Sequence, residues 1–408
     1  MLHWQDAPTG FSGRWQTQRG MRMRYNFRHL RIFLTTAETG SLTRAAEAAH
    51  VSQPAATQAL TRLEASLGTA LFTRSSQGLF LNDAGHIFRL RVERAVTLLD
   101  RVLTDIAPRL KLTVTSAQIE ALIAVADAEN FTLAARRLGL AQPTVHRAIA
   151  QLEEGAGRAL FERSAYGTIP TRPGQSLAQA ARLALAELAQ AETELAEARA
   201  ESAGKIVIGA MPLSRSHLLP MAIVKFQQER PMQTIAVTEG PYAELLSGLR
   251  RGDIDFLIGA LREPPPIDDV EQITLFHDTA VIVARPDHPV FQRVPPGLAE
   301  LARYSWIVAA PETPIRDHFD MLFGRHGLQP RNLVESGSLI LMREILSRTD
   351  YLGFTSGGQV SAEIARGLLK TVRFDLSTTR RPIGLTMRVG WLPTPAQRQL
   401  IRIIKEVT

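Results

Sequence analysis

The sequence predicts a multidomain chain: two all-α winged helix-turn-helix domains with long linker helices, then a two-lobed α/β domain. Three observations predict it. A stretch of sequence recurs at a constant offset of 89 residues. Each copy is followed by apolar residues at heptad spacing. From residue 204 onward, short apolar strands alternate with helices. At about 100–200 residues per domain, 408 residues make two to four domains.

Composition narrows the function classes. There is no cysteine, so disulfides, thiolate metal sites and thiol redox switches are excluded. No apolar run reaches the roughly 18 residues of a membrane span. Met1–Gly20 has no apolar core of a secretory signal, so a soluble cytoplasmic protein is expected. The net charge is +7 and is unevenly placed. Residues 21–112 hold 13 Lys+Arg against 7 Asp+Glu, whereas 113–203 hold 8 against 11. A basic first quarter suits a nucleic-acid partner.

The duplication pairs Thr43 with Thr132, Gln53-Pro54 with Gln142-Pro143 and Leu63-Glu64 with Leu152-Glu153. Leu71-Phe72 returns as Leu160-Phe161, Arg74-Ser75 as Arg163-Ser164, and Gly85 as Gly174. Roughly fifteen of about forty positions are identical without a gap, and two copies do not make an array.

In copy one, Phe27, Leu30, Ile32, Phe33 and Leu34 make an apolar-faced helix that stops at Gly40. Ser41 reads as the N-cap of a second helix over Leu42–Ala49. Gln53-Pro54 opens a third, with Pro in the first turn, where its missing N–H costs little. It runs to about Leu67 and buries Ala56, Leu60, Leu63 and Leu67. The stretch from Leu71 to Gly85 reads as a short extended pair around Gly78. Helix, tight turn, helix and hairpin make a winged helix-turn-helix. Its outer face offers Gln53, Ala55, Thr57, Gln58 and Arg62. Gln can bond adenine bidentately, and Thr and Ala can meet a thymine methyl. Arg74 in the wing can reach a phosphate or the minor groove. Copy two offers Gln142, Thr144, His146, Arg147 and Gln151, with Arg163 in its wing. The two faces differ, so they should not read the same bases. His146 lacks a partner at i+4, which argues against a metal site.

The run Ser41-Leu42-Thr43-Arg44-Ala45-Ala46, His50-Val51-Ser52-Gln53-Pro54-Ala55, Leu63-Glu64 and Leu71-Phe72-Thr73-Arg74 resembles the DNA-binding domain of LysR-type transcriptional regulators. The resemblance implies DNA contacts from Ser52, Gln53, Pro54, Ala55, Thr57, Gln58 and Arg74. The family usually has Ser-Arg where this chain has Thr57-Gln58, which leaves base preference open. In copy two the Ser is Ala141, which removes one contact.

The first linker carries Val92, Val96, Leu99, Leu103, Ile106 and Leu110 at spacings of 4 and 3. The second carries Leu177, Ala181, Ala184, Leu188, Ala191, Leu195 and Ala198, a heptad seam narrow enough for close helix approach. A helix packed on its own domain is the alternative, and the resemblance implies dimerisation through this linker.

Beyond the hinge at Ala200–Gly204, strands are expected at 205–210, 235–237, 255–259, 280–283, 306–308, 350–354 and 385–391. Helices are expected at 214–228, 242–250 and 395–407, giving a mainly parallel sheet. Two such lobes resemble the family's periplasmic-binding-protein-like effector domain. The expected domains are a tail (1–24), winged domain one (25–85), linker one (86–112), winged domain two (113–174), a dimerisation linker (175–203) and an effector-binding domain (204–408). Lobe one takes about 204–280 and 382–408, and lobe two about 281–381. The span from 113 to 408 is the size of a whole family member, so the first 112 residues look like an added reader.

A cleft at strand ends and helix N-termini suits an anion. Its expected lining is Ser214, Arg215, Thr238, Glu239, Thr313, Arg316, Ser336, Thr355 and Ser356, with Arg215 or Arg316 pairing a carboxylate. The alternative for each is helix capping or surface solvation. Asp253 and Asp255 read as turn and sheet-end residues, not catalytic carboxylates. Gly259-Ala260-Leu261-Arg262 and Thr313-Pro314-Ile315-Arg316 look like the subgroup that includes regulators of aromatic-acid and sugar-uptake genes.

The reading is a DNA-binding regulator of transcription, not an enzyme, controlled by a small organic acid or sugar. Its expected partners are double-stranded DNA, further copies of itself in a homodimer or homotetramer, and RNA polymerase, with no membrane and no cofactor. The alternatives are a DNA-tethered enzyme or a small-molecule binding protein. Against the enzyme, the chain has no P-loop, no G-x-G-x-x-G after a strand, no G-x-S-x-G and no metal pair.

Overall fold

The computed structural model of the chain describes residues 25–408 except 77, 166, 200–203 and 293–294. The expected tail and most of the expected hinge therefore lie outside the described residues. The chain divides into two compact units, Met1–Glu192 and Thr193–Thr408.

Copy one consists of α1 (Phe27–Thr39), α2 (Leu42–Ala48), α3 (Gln53–Leu67), β1 (Phe72–Ser75), β2 (Gly78–Leu81) and the linker helix α4 (Asp83–Ile106). A short α5 (Leu110–Thr113) leads into copy two. That copy repeats the order with α6 (Ser116–Ala128), α7 (Phe131–Leu138), α8 (Gln142–Ala156), β3 (Phe161–Ser164), β4 (Gly167–Pro170) and α9 (Arg172–Ala198). Local chemistry sets the boundaries. Asn26, Ser41 and Ser52 accept backbone N–H groups at the starts of α1, α2 and α3. Gly40 and Gly68 end α1 and α3 in the left-handed region.

The repeated polar residues brace the wings. Leu71 N donates to Glu64 Oε1 at 2.7 Å, and Leu160 N donates to Glu153 Oε1 at 2.8 Å. Both glycines at the linker starts are forced. A Cβ on Gly85 would stand 2.1 Å from the Leu71 carbonyl oxygen, and one on Gly174 would stand 2.0 Å from that of Leu160. In copy one, Phe33 packs edge-on against Phe72 and Phe88, with ring centroids 5.5 and 5.2 Å apart.

The two linker helices have equivalent buried residues. In α4 these include Phe88, Val92, Ala95, Leu99 and Ile106. In α9 they are Leu177, Ala181, Ala184, Leu188 and Leu195. The expectation that the α9 seam meets a second chain is revised here. Residues 177–191 of the seam are covered within one chain, and Arg91 and Arg94 of α4 pair with Glu187 of α9. Ala198 is exposed.

The second unit carries β5 (Lys205–Ala210), α10 (Pro212–Ser216), α11 (Leu218–Glu229), β6 (Thr234–Thr238), α12 (Tyr242–Arg251), β7 (Phe256–Ala260) and β8 (Val270–Asp278). The chain then crosses to β9 (Ala280–Ala284), α13 (Leu298–Leu301), β10 (Ser305–Val308), α14 (Pro314–Gly324), β11 (Asn332–Glu335), α15 (Leu339–Arg348), β12 (Tyr351–Ser356), α16 (Gly357–Ala365) and β13 (Lys370–Val372). It returns through β14 (Arg381–Arg388) and ends in α17 (Pro395–Glu406). The strands form two five-stranded sheets, β6-β5-β7-β14-β8 and β11-β10-β12-β9-β13. Each sheet is the base of one lobe. Lobe one packs Phe226, Phe256, Ile258, Leu385 and Leu400 in its core. Lobe two stacks Trp306, Phe319, Phe323 and Phe354.

Three expectations change. The sheets are mixed, because β14 runs antiparallel to β7 and β8, and β9 antiparallel to β12 and β13. These are the strands by which the chain enters a lobe from the other. The helix expected over 214–228 breaks at His217, whose backbone is non-helical. The edge strands β8, β11 and β13 were not expected, since exposed edges carry weak apolar patterns.

Candidate nucleic-acid interface and ligand cleft

Each helix-turn-helix sets its third helix on the outside of the domain. Ser52, Gln53, Pro54, Ala55, Gln58, Arg62 and Arg74 are exposed, and Thr57 is half-buried. Gln142, Thr144, His146, Arg147 and Arg163 are exposed in copy two. The expected residues of each copy thus share one outer surface of a recognition helix and its wing. Two of them have local duties. Ser52 Oγ accepts the Ala55 N–H at 3.4 Å as the N-cap of α3. Thr57 Oγ1 donates to the Gln53 carbonyl at 3.0 Å. His146 packs on Phe131, ring centroids 5.1 Å apart, beside a cavity it shares with Gln142 and Arg163.

The second unit places the expected ligand residues in three groups. Arg215 is ion-paired with Glu239. Arg316 pairs with Asp320 at 2.8 Å and Glu335 at 2.6 Å, so both cations expected to meet a carboxylate already hold protein carboxylates. Thr355 and Ser356 are buried where the lobes join. Thr355 Oγ1 donates to Gln359 Oε1, and Ser356 Oγ donates to Asp278 Oδ2 at 2.6 Å. Elsewhere, Ser214 is fully buried and its hydroxyl lies within 3.1 Å of the Met211 and Ile258 carbonyls. Thr313 Oγ1 donates to the Ala310 carbonyl, Ser336 Oγ accepts the Ser338 N–H, and Thr238 is buried at the end of β6. Asp255 accepts the Val207 N–H at 2.8 Å, a sheet-end role that burial accompanies by raising its pKa.

The sequence reading missed the residue with the strongest claim. Arg381 opens β14 at the crossing and is 9% exposed. One nitrogen lies 3.4 Å from Asp278 Oδ2, while its buried Nε and Nη1 have no partner among the described residues. Burial lowers its pKa, and the nearby Arg262 guanidinium lowers it further against the pull of Asp278. Arg262 lies over the Tyr242 ring, 4.7 Å from the centroid, and the buried Tyr242 hydroxyl also lacks a partner. From lobe two, His318 is held below its ordinary pKa by burial and then by Arg381. Arg381 thus lies within electrostatic reach of Arg262 from lobe one and His318 from lobe two, and Tyr242 lies beneath Arg262. Buried donors without acceptors are costly, and a small anion would satisfy them. The segment Leu261-Arg262 and the pair Arg380-Arg381 were visible, but only the crossing of the lobes brings them together. A separate cavity of about 660 Å³ lies between Leu213, Leu218 and Phe276 of lobe one and Ala362, Ala365 and Arg366 of lobe two. Among the described residues no metal cluster is present, and no helix is long and apolar enough to cross a membrane.

The profile of the bacterial regulatory helix-turn-helix protein, lysR family, matches residues 27–86 and again 116–175. That of the LysR substrate binding domain matches 199–408. The HTH-type transcriptional regulator GalR of Pseudomonas putida is 33% identical over 386 residues, 94% of this chain and 97% of the relative. The HTH-type transcriptional regulator PcaQ of Agrobacterium fabrum is 27% identical over 294 residues, 71% of this chain and 93% of the relative. Among solved structures, full-length LysG of Corynebacterium glutamicum with bound effector Arg superposes with a TM-score of 0.53 at 22% identity, covering 71% of this chain and 96% of that one. ArgP of Mycobacterium tuberculosis gives a TM-score of 0.54 at 18% identity, with 71% and 96% coverage.

Proposed function

The chain belongs to the LysR family of bacterial transcriptional regulators, and we propose on that premise that a small anionic effector, held between the lobes on Arg381 and Arg262, controls how the winged domains engage DNA. The protein is a DNA-binding transcriptional regulator with an effector-binding domain, and its relatives are regulators, not enzymes. The observation that supports an anion is the buried Arg381, two of whose donors have no protein acceptor. The α3 and α8 faces read bases through Gln53, Gln58, Gln142 and Arg147, and Arg74 and Arg163 hold phosphates. Ser52 serves first as a cap. The protein works in the cytoplasm as a homodimer or homotetramer, assembled through surfaces other than the α4–α9 seam. At a promoter it meets RNA polymerase. No cofactor is required.

Effector binding shifts the equilibrium between lobe arrangements by its difference in affinity for them. An anion at Arg381 also draws a proton to His318, whose folded-state pKa is lowered in the free protein. Affinity therefore rises as the pH falls into the range where a histidine titrates. A thermal-shift screen of small organic acids and neutral sugars on the full chain tests the reading. The expected result is stabilisation by an acid that Arg381→Ala weakens roughly tenfold or more. A neutral sugar that stabilises wild type and Arg381→Ala equally would overturn it.

A further inference from the structure

We infer that the two winged domains form one asymmetric, two-headed reader inside a single chain, and that its ligand is one DNA duplex carrying two unlike half-sites in inverted orientation. This rests on the proposal that both domains bind DNA.

The first support is the way the copies touch. Ser116 Oγ donates to the Tyr25 carbonyl at 3.0 Å, and Ser116 is the offset equivalent of Phe27. Arg28 donates to the Leu112 carbonyl at 3.4 Å, and 112 corresponds to position 23. Arg91 Nη1 donates to Glu187 Oε2 at 2.8 Å and Gln190 Oε1 at 2.7 Å, which correspond to positions 98 and 101. Each contact joins a stretch of one copy to the same stretch of the other. That is the signature of a two-fold, isologous interface; a head-to-tail repeat joins different stretches. The linkers run in opposite directions. Tyr25 packs its ring on Phe88, near the start of α4, and donates its hydroxyl to Glu192, near the end of α9. Midway, the equivalent residues Ala95 and Ala184 are both fully buried.

The second support is charge. Arg91 is fully buried and Glu187 is 7% exposed. Their counterparts are Ala180 and Leu98, so the ion pair occurs once across the pseudo-axis. Pairing α4 with another α4 would place Arg91 against Leu98 and Arg101, burying cations with no acceptor. Pairing α9 with α9 would set Glu187 against Ala180 and Leu183. Only the unlike pair satisfies both charges, so the seam selects α4 with α9.

The third support is the pair of reading faces. A two-fold inverts one recognition helix relative to the other, which suits inverted half-sites. Copy one presents Thr57-Gln58 where copy two presents His146-Arg147. The halves therefore differ in sequence.

The test uses the full chain. A duplex enriched from a random pool is footprinted with wild type, Gln58→Ala and Arg147→Ala, both substitutions lying at exposed positions. Two unlike protected patches are expected, with Gln58→Ala weakening one and Arg147→Ala the other, each by roughly five- to a hundred-fold. The inference is overturned if the patches are identical, fade together with Gln58→Ala and ignore Arg147→Ala, for then two chains each supply one head. If wild type enriches no sequence, DNA reading by these faces fails, and the inference fails with it.

Discussion

Copy one opens its recognition helix with Ser52, and copy two opens its own with Ala141, which makes no side-chain cap. Copy one ends its first helix on Gly40 in the left-handed region, where copy two holds Glu129 at φ 49°. Beneath these differences the frames coincide, with Glu64 and Glu153 bracing the wings and Gly85 and Gly174 pressed against the same carbonyl. Copy one also lies in the basic part of the chain and copy two in the acidic part. The difference separates two kinds of constraint. Residues that hold the wing on the helix recur because the geometry allows no substitute. Caps, surface charge and the outward-facing residues of α3 and α8 vary because each contributes little to the packing of the domain.

Four measurements break or sharpen that comparison. The largest effect is expected at the seam, where the buried ion pair of one copy has no counterpart in the other. Glu187→Ala removes the carboxylate that balances the buried charge of Arg91 and should cost about 3–5 kcal/mol in denaturant unfolding. A loss below 1 kcal/mol would mean that the pair is solvated. Next come Gly85→Ala and Gly174→Ala. Both drive a methyl into a backbone carbonyl and should cost at least about 1–3 kcal/mol each, by similar amounts. Clearly unequal losses would show that the frames are not equivalent. Smaller changes should come from exchanging the local features. Glu129→Gly should gain about 1 kcal/mol by relieving the left-handed backbone, and Ser52→Ala should lose about as much by removing a cap. Thermal midpoints that move the other way would refute this. The smallest effect lies in the salt dependence of DNA binding. Removing one phosphate contact, with Arg74→Ala or Arg163→Ala, should lower the slope of log affinity against log salt by about one. An unchanged slope would mark that wing as idle.

Much of this was legible in the sequence. The fixed offset announced two equal domains, and Gln53-Pro54 and Gln142-Pro143 marked the starts of α3 and α8. Apart from the exposed Ala198, the heptad runs named residues that become buried in α4, α5 and α9. What those residues pack against was not legible, because periodicity identifies a buried face and says nothing of its partner. Arg91 illustrates the limit. A cation in a helical run reads as solvated, and only the approach of Glu187, 96 residues away, makes its full burial tolerable. The ligand cleft was read less well for the same reason. Arg215 and Arg316 have acceptors 24 and 19 residues distant, and Arg381 has one 103 residues distant. Pairings at such separations are made by topology.

The short α5 that joins the copies has a kinetic consequence. If both heads bind one duplex, as inferred above, docking of one delivers the other to its half-site as an intramolecular partner, at an effective concentration set by the tether and not by the number of molecules in the cell. Two individually weak grips then multiply within one chain. Occupancy of the site can stay high when the protein is scarce, and release requires both heads to let go together.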